Sequence, residues 1–257
     1  MVIKPFYSMY QPNGYITIFL LLLCLLTIKS YGQSHKMISL ESIQQRYIGK
    51  WPKTISYVKK VDTRQYGRED SSIQYHAYLY PGIARIDQGS LDEGRATIIH
   101  GEMSYWFKRF KHVSNGETVK YFTDYMLGDI YYDDLAGFKK VLAYSQVDSS
   151  LKGHGIWEGR PVIVIGATSL EDRYNAQVWY DTEGLYPVRF IEGRSGRVRD
   201  IQYQIKKYGS FWFPESAKEF VGKKQVGTVR YQNFSSDRKL TEEIFDLERF
   251  GSCHWAE

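Results

Sequence analysis

The sequence is poor in cysteine: only Cys24 and Cys253 occur in 257 residues. Neither pairs with a histidine at zinc spacing, and a β-domain of this size needs no disulfide staple. The six histidines, His35, His76, His100, His112, His154 and His254, are scattered. None makes HxH or HExxH, so no metal site and no metallohydrolase is signalled. Charge of one sign is also scarce. The formal net charge is +5, falling to +3 without Lys4 and Lys29, too weak and too evenly spread for a nucleic-acid surface. Long apolar runs are absent as well. Ile16–Ile28 spans 13 residues, short of the roughly 20 that a membrane helix needs but within the length of a signal-peptide core.

Lys4 before that run, and Ser30-Tyr31-Gly32 after it, complete the pattern of an export signal. Residues 1–32 are therefore expected to be a signal peptide cleaved near Gly32. Bulky Leu23 before Cys24, with the apolar run continuing beyond it, is wrong for a lipidated cysteine. Residues 33–257 are expected to form a single domain, with no linker, low-complexity tract or repeat.

What is abundant is aromatic: 16% of residues, 22 of them Tyr, within 43% hydrophobic content. Such side chains suit a pleated surface. Leu151 to Glu192 reads as a meander of four strands. Val162-Ile163-Val164-Ile165 is an unbroken β-branched run, expected to be buried on both faces. Thr182-Glu183-Gly184 offers a hairpin loop with a glycine for positive φ. From Leu185 to Ile191, Tyr186, Val188 and Phe190 alternate with Pro187, Arg189 and Ile191.

Elsewhere, Met37–Gly49 is a helix candidate capped by Ser39, with Leu40, Ile43 and Tyr47 on one face. Ile55–Asp62 reads as a strand. In Ser71–Ile86, His76, Tyr78 and Tyr80 share a face, and Pro81-Gly82 breaks or bulges a strand that then continues through Asp87. Ala96–His100 and Ser104–Val113 form a hairpin. Asn115-Gly116 is the strongest two-residue turn signal, and Glu117–Phe122 is the next strand. Over Thr123–Tyr144 the period changes. Leu127, Ile130, Tyr131, Leu135, Phe138, Val141 and Leu142 fall at helical spacing, with Asp129, Asp133 and Asp134 early and Lys139 and Lys140 late. Val198–Tyr208 is a further strand. Phe211–Val221 and Val226–Phe234 make a last hairpin, and Ile244–Leu247 docks an apolar patch. About ten strands and two helices result. So many antiparallel strands must curl or close.

Catalytic motifs do not hold up. Gly193-Arg194-Ser195-Gly196 has Arg197 where a nucleophile elbow needs glycine. Gly153-His154-Gly155 has Glu158 where a dinucleotide loop needs glycine, and no helix follows. Asp129 and Asp133, four apart, read as solvated helix-start acids. Arg85 and Asp87 read as a structural or rim pair on one strand face. Asn233-Phe234-Ser235 is a formal glycosylation sequon.

Four pieces of sequence carry a resemblance. They are Pro81–Asp87 (PGIARID), Trp157–Ala167 (WEGRPVIVIGA), Gln177–Asp181 (QVWYD) with Pro187-Val188-Arg189, and Ile244–Leu247 (IFDL) with Phe250 and Trp255. Together with the export signal, the antiparallel strands and the middle helix, they resemble the LolA/LolB-like outer-membrane lipoprotein-sorting proteins of diderm bacteria. The resemblance implies a mainly β (α+β) fold, an unclosed antiparallel β-barrel with a helical lid over a hydrophobic cavity. It implies a periplasmic, non-catalytic carrier of acylated lipoproteins or lipids, monomeric, cofactor-free, and meeting membrane-bound transfer partners. The carrier's functional arginine beside the early-strand proline is replaced here by Tyr80, so its role does not transfer. No lipobox marks a membrane-anchored receptor.

On this reading the cavity lining comprises Tyr78, Tyr80, Tyr105, Phe107, Ile163, Ile165 and Trp179 from the sheet, and Tyr131, Leu135 and Phe138 from the lid. The facing rests on alternation, and a one-residue slip would exchange each set. Two other readings stay open. A filled barrel would favour an interaction module without lipid. A cleft joining a histidine, a carboxylate and a serine would favour a hydrolase.

Overall fold

β-Branched and aromatic residues recur with period two along most of the chain, and the computed structural model joins these stretches into one sheet. It describes residues 38–257 except 66, 119–121, 195–196, 237, 254 and 256–257. The signal-peptide expectation and Met37 lie outside these residues.

Ser39–Glu257 forms one unit. Its strands are β1 (Thr54–Gln65), β2 (Arg68–Leu79), β3 (Ile83–Gln88), β4 (Ala96–His100), β5 (Met103–Lys108), β6 (Lys111–Glu117), β7 (Lys152–Trp157), β8 (Arg160–Ile165), β9 (Gln177–Asp181), β10 (Pro187–Arg194), β11 (Arg197–Tyr208), β12 (Phe211–Val221) and β13 (Lys224–Ser235). Their order is β6-β5-β4-β3-β2-β1-β13-β12-β11-β10-β9-β8-β7, antiparallel throughout. The first and last strands pair at the centre, and β6 and β7 remain as edges, so the sheet does not close. The fold is mainly β, as expected, with thirteen strands among the described residues rather than about ten.

The central meander forms as its turn residues dictate. Val162 to Ile165 are buried on both faces, each worth ~1.5–3 kcal/mol of transfer free energy. One detail differs. In the loop after β9 the positive φ falls on Leu185 (54°), not on Gly184. The Asp181 carboxylate accepts from the amides of Glu183 and Gly184 and so shapes the turn.

Four other expectations are corrected. First, Pro81-Gly82 does not bulge a continuing strand. Its turn reverses the chain, and β3 pairs back on β2. Second, Asn115-Gly116 is not a turn. Both residues sit in the β6 ladder opposite Tyr105 and Ser104. The reversal lies at Arg109-Phe110, both at positive φ (52° and 61°). There the Phe110 amide donates to the Gly94 carbonyl and its ring meets Phe250. Trp106 packs over Gly116, where a Cβ would lie 3.3 Å from the ring. Tertiary packing thus outweighs local turn preference.

Third, the first helix is shorter than Met37–Gly49. It is α1 (Leu40–Gln45), closed by a capping box between Ser39 and Ser42. Fourth, Thr123–Tyr144 is not one helix; of the expected strand Glu117–Phe122, Glu117 ends β6, Phe122 begins a helix, and residues 119–121 lie outside the described residues. The segment divides into α2 (Phe122–Tyr125), a 3₁₀ turn (Asp129–Tyr131) and α3 (Leu135–Tyr144). Asp134 is the N-cap of α3, its carboxylate accepting from the Gly137 amide at 2.7 Å. Asp129 and Asp133 therefore share no helix face.

The segment 122–144 covers one side of the sheet, fastened by tyrosines. Tyr80 Oη donates to the Leu127 carbonyl (3.0 Å) and Tyr180 Oη to Met126 Sδ (3.2 Å). Tyr125 Oη donates to Asp133 and Tyr132 Oη to the Trp51 carbonyl. The opposite side of β2–β5 is covered by residues 240–255. There Ile244 and Phe245 pack on Ala77, and Phe250 packs on Ile98 and Phe107. The expected docking of Ile244–Leu247 is observed. Arg85 and Asp87 lie beneath this segment as a buried pair (2.9 Å), which makes them structural rather than a rim.

Candidate functional site

Pairs across an antiparallel ladder share a face, so the register defines the helix-covered side of β1–β5 as cross-strand rows. One row is Lys59–Gln74–Gln88. The next is Tyr57–His76–Ile86–Thr97–Trp106, and the third is Ile55–Tyr78–Ala84–Ile99–Ser104. Most of these residues line a cavity of about 480 Å³, walled by Asp124, Tyr125 and Asp129 from the covering segment. That volume lies within the range of small-molecule sites, about 300–1,000 Å³. The cavity exists because Ala84, Thr97 and Ser104 are small. On the same side over β8–β10 the corresponding positions are Ile163, Ile165, Val178, Tyr180 and Phe190, all buried. A separate void between the covering segment and β10–β12 holds about 10 Å³, about the limit for one water.

Rings stack along the cavity wall. Tyr57 lies on His76 (4.7 Å), Tyr78 on Tyr80 (5.5 Å) and Tyr80 on Tyr132 (5.4 Å), with interplanar angles of 11–12°. Hydrogen bonds run through the buried end of the stack. Gln74 Oε1 can only accept, so His76 Nε2 carries the proton it shares with Gln74 at 3.1 Å. Burial, and then the Lys59 charge, hold His76 well below the ordinary imidazole range, so its ring is neutral. Nδ1 therefore accepts from Tyr78 Oη at 3.1 Å, and Tyr57 Oη donates to Tyr78 Oη at 3.4 Å. Burial pushes the phenols of Tyr57, Tyr78 and Tyr80 well above their usual range, leaving them protonated donors. Each bond thus points towards Gln74.

The candidate lining residues divide among three environments. Tyr78 lines the cavity, and Tyr80 continues the same stack beneath the covering segment. Ile163, Ile165, Tyr131 and Phe138 are buried on the helix-covered side, away from the cavity, and Leu135 is half-buried at the start of α3. Tyr105, Phe107 and Trp179 face the opposite side, because the two strand faces were exchanged in the alternation. Tyr105 and Phe107 pack with Ile98 and Phe250. Trp179 packs with Val162 and Val164, and Arg189 lies 4.4 Å from the centroids of both Trp157 and Trp179 while pairing with Asp200. Ile86, Ile99 and Trp106 are lining residues that sequence reasoning missed. Once β2 is known to turn back into β3, their alternation with His76 and Tyr78 identifies them. Among the described residues no group of three or more His, Cys, Asp or Glu is placed to hold a metal ion.

This fold, a single open antiparallel sheet with a short helical cover on one side, recurs in solved structures. A LolA superfamily protein from Nitrosomonas europaea aligns with a TM-score of 0.55 at 14% identity, over 81% of this chain and 98% of that one. The fold is LolA-like. A DUF1329 family protein from Desulfovibrio piger aligns at 0.56 and 11% identity, over 82% and 98% of the two chains. A domain described as an outer membrane lipoprotein-sorting protein, from Vibrio parahaemolyticus, aligns at 0.53 and 13% identity, over 82% and 97%. No protein-family model and no curated protein matches the sequence. The likeness is therefore one of fold.

Proposed function

We propose that this protein is a non-catalytic periplasmic carrier that shelters an acyl chain of a lipid or lipoprotein on its way to the outer membrane. The observation that carries the reading is the cavity of about 480 Å³ beneath the covering segment of a LolA-like sheet. Its middle is apolar, from Ile86, Ile99 and the ring of Trp106. Each methylene moved from water into such a surface contributes ~0.8 kcal/mol, so a chain is held without covalent chemistry. Fold alone does not assign function; the cavity is the feature that supports it here. Partners on this reading are acylated proteins or lipids and the membrane proteins that load and unload them.

Native mass spectrometry of the protein isolated from its own cells, followed by solvent extraction, tests the proposal. An acylated species should co-purify and be lost in Ile99→Asp. A bare protein that takes up neither a fluorescent fatty acid nor an acylated peptide would overturn the reading. The filled space over β8–β12 favours a second one, an interaction module whose sheet is a scaffold for protein contacts.

A further inference from the structure

The cavity has two unlike ends. At one, Lys59, Gln74 and Gln88 form a cross-strand row. At the other, Gly82 and Gly101 line the wall with Asp129. Ile83 and Gln88, at the two ends of β3 and both in the cavity wall, are five residues apart, so the ends lie ~17 Å from each other at ~3.3 Å per residue.

The first end is built to donate. Lys59 is half-buried and makes no ion pair among the described residues. An ammonium on a cavity wall without a carboxylate partner is costly unless solvent or a ligand satisfies it. Beside it, Gln74 has its carbonyl committed to His76 Nε2–H. Its amide group, with two N–H donors, is turned to the other side. The relay from Tyr57 through Tyr78 and His76 holds that orientation, because each member donates towards Gln74. Lys59 and Gln74 thus present donors only, and their complement is an acceptor-only anion. Asp129, the acid that acts most on Tyr80, lies at the far end and repels the same anion; Asp124, which acts on Tyr57 and more than Asp129 on Tyr78, stands between the ends.

We infer that the cavity takes a single-chain anionic amphiphile, its carboxylate or phosphate monoester held by Lys59 and Gln74 and its chain lying across Ile86, Ile99 and Trp106. This rests on the acyl-binding reading above and adds the chemistry of the head group.

Isothermal titration of the purified protein with palmitate, hexadecyl phosphate, methyl palmitate and hexadecylamine, each below its micelle concentration, tests it. Palmitate and hexadecyl phosphate should bind about tenfold tighter than the uncharged ester, the range of a charge-assisted hydrogen bond. In Lys59→Met that difference should vanish while the ester's affinity is kept. Gln74→Glu should weaken both anions and strengthen the amine. An ester as tight as the anions, or an amine tighter than either, would overturn the head-group assignment and leave the acyl reading standing. Displacement of palmitate by millimolar inorganic phosphate would overturn it in favour of a free-anion site. If none of the four binds, the acyl reading falls and this inference with it.

Discussion

The Tyr80 ring lies so close to the Gly128 backbone that a Cβ there would come within 2.1 Å of Cζ. The same ring's hydroxyl donates to the neighbouring Leu127 carbonyl. This contact, between residues distant in sequence, is where the covering segment breaks between α2 and the 3₁₀ turn. Alanine would improve local helix propensity at Gly128 by about 1 kcal/mol. Overpacking against a buried ring costs roughly 1–3 kcal/mol, so Gly128→Ala should be net destabilising. Urea denaturation should show the loss, and Tyr80→Ala in the same background should recover part of it by making room. A stabilised Gly128→Ala would mean that the segment tolerates a continuous helix.

The buried imidazole of His76 makes a prediction with a definite sign. Its folded pKa is depressed, by burial first and by Lys59 second. The unfolded value is about 6.5. Below that pH the unfolded chain takes up a proton that the folded protein refuses. Stability is therefore full above about pH 6.5 and falls as pH drops towards the folded value, at up to about 1.4 kcal/mol per pH unit. Urea midpoints at pH 7.5 and 5.5 should show this, and His76→Gln should flatten the dependence across that window. An unchanged slope in the variant would show that other groups carry it.

On the opposite side of the sheet, Arg85 ties down the C-terminal segment. It pairs with Asp87 and donates to the carbonyls of Ile244 and Cys253, both at 2.9 Å, while Trp255 Nε1 donates to Asp87. Its guanidinium also lies 4.7 Å from the Phe250 centroid. Arg85→Ala leaves Asp87 a buried, unmatched charge and should cost about 3–5 kcal/mol. Limited proteolysis should then cut first within residues 240–255, before the sheet is attacked. The double variant Arg85→Met with Asp87→Leu should be markedly less destabilised than either single change. Uniform cleavage of sheet and tail together would show that the clamp acts globally.

How far the fold could be read from the residues depends on where each constraint lies. Val162–Ile165, entered from a turn at Glu158-Gly159, carries its own instructions in β-branching, and the meander of four strands formed as expected. Asn115-Gly116 carries an equally strong local signal that fails, because Trp106 and Phe250 fix the register from outside. The break at Gly128 is likewise imposed by Tyr80, which no local window contains. Alternation correctly divided Tyr105 and Phe107 from Trp106. It could not say which set met the helices, since both faces of this part of the sheet are covered, one by residues 122–144 and the other by 240–255. The cavity was illegible for a related reason. It is made by what is small, Ala84, Thr97 and Ser104, while hydrophobic patterning marks only what is large and apolar.

That contrast between small and large residues can be tested by exchanging them. Ala84 is buried in the wall of the cavity, between Tyr78 and Ile99 in its row. Ala84→Phe should project its ring into empty volume, so the usual overpacking cost of about 1–3 kcal/mol should be largely avoided. Binding of a fluorescent fatty acid, by contrast, should fall to background. Ile163→Ala in the filled part should do the reverse. It removes buried methyl groups from a packed site and should cost about 2–5 kcal/mol, yet leave binding intact under conditions where the protein stays folded. Paired melting and titration curves for the two variants separate the roles. If Ile163→Ala abolished binding and Ala84→Phe did not, the ligand would lie among the packed residues of β8–β10, reached by a rearrangement of the covering segment, and the cavity beside β2–β5 would not be its site.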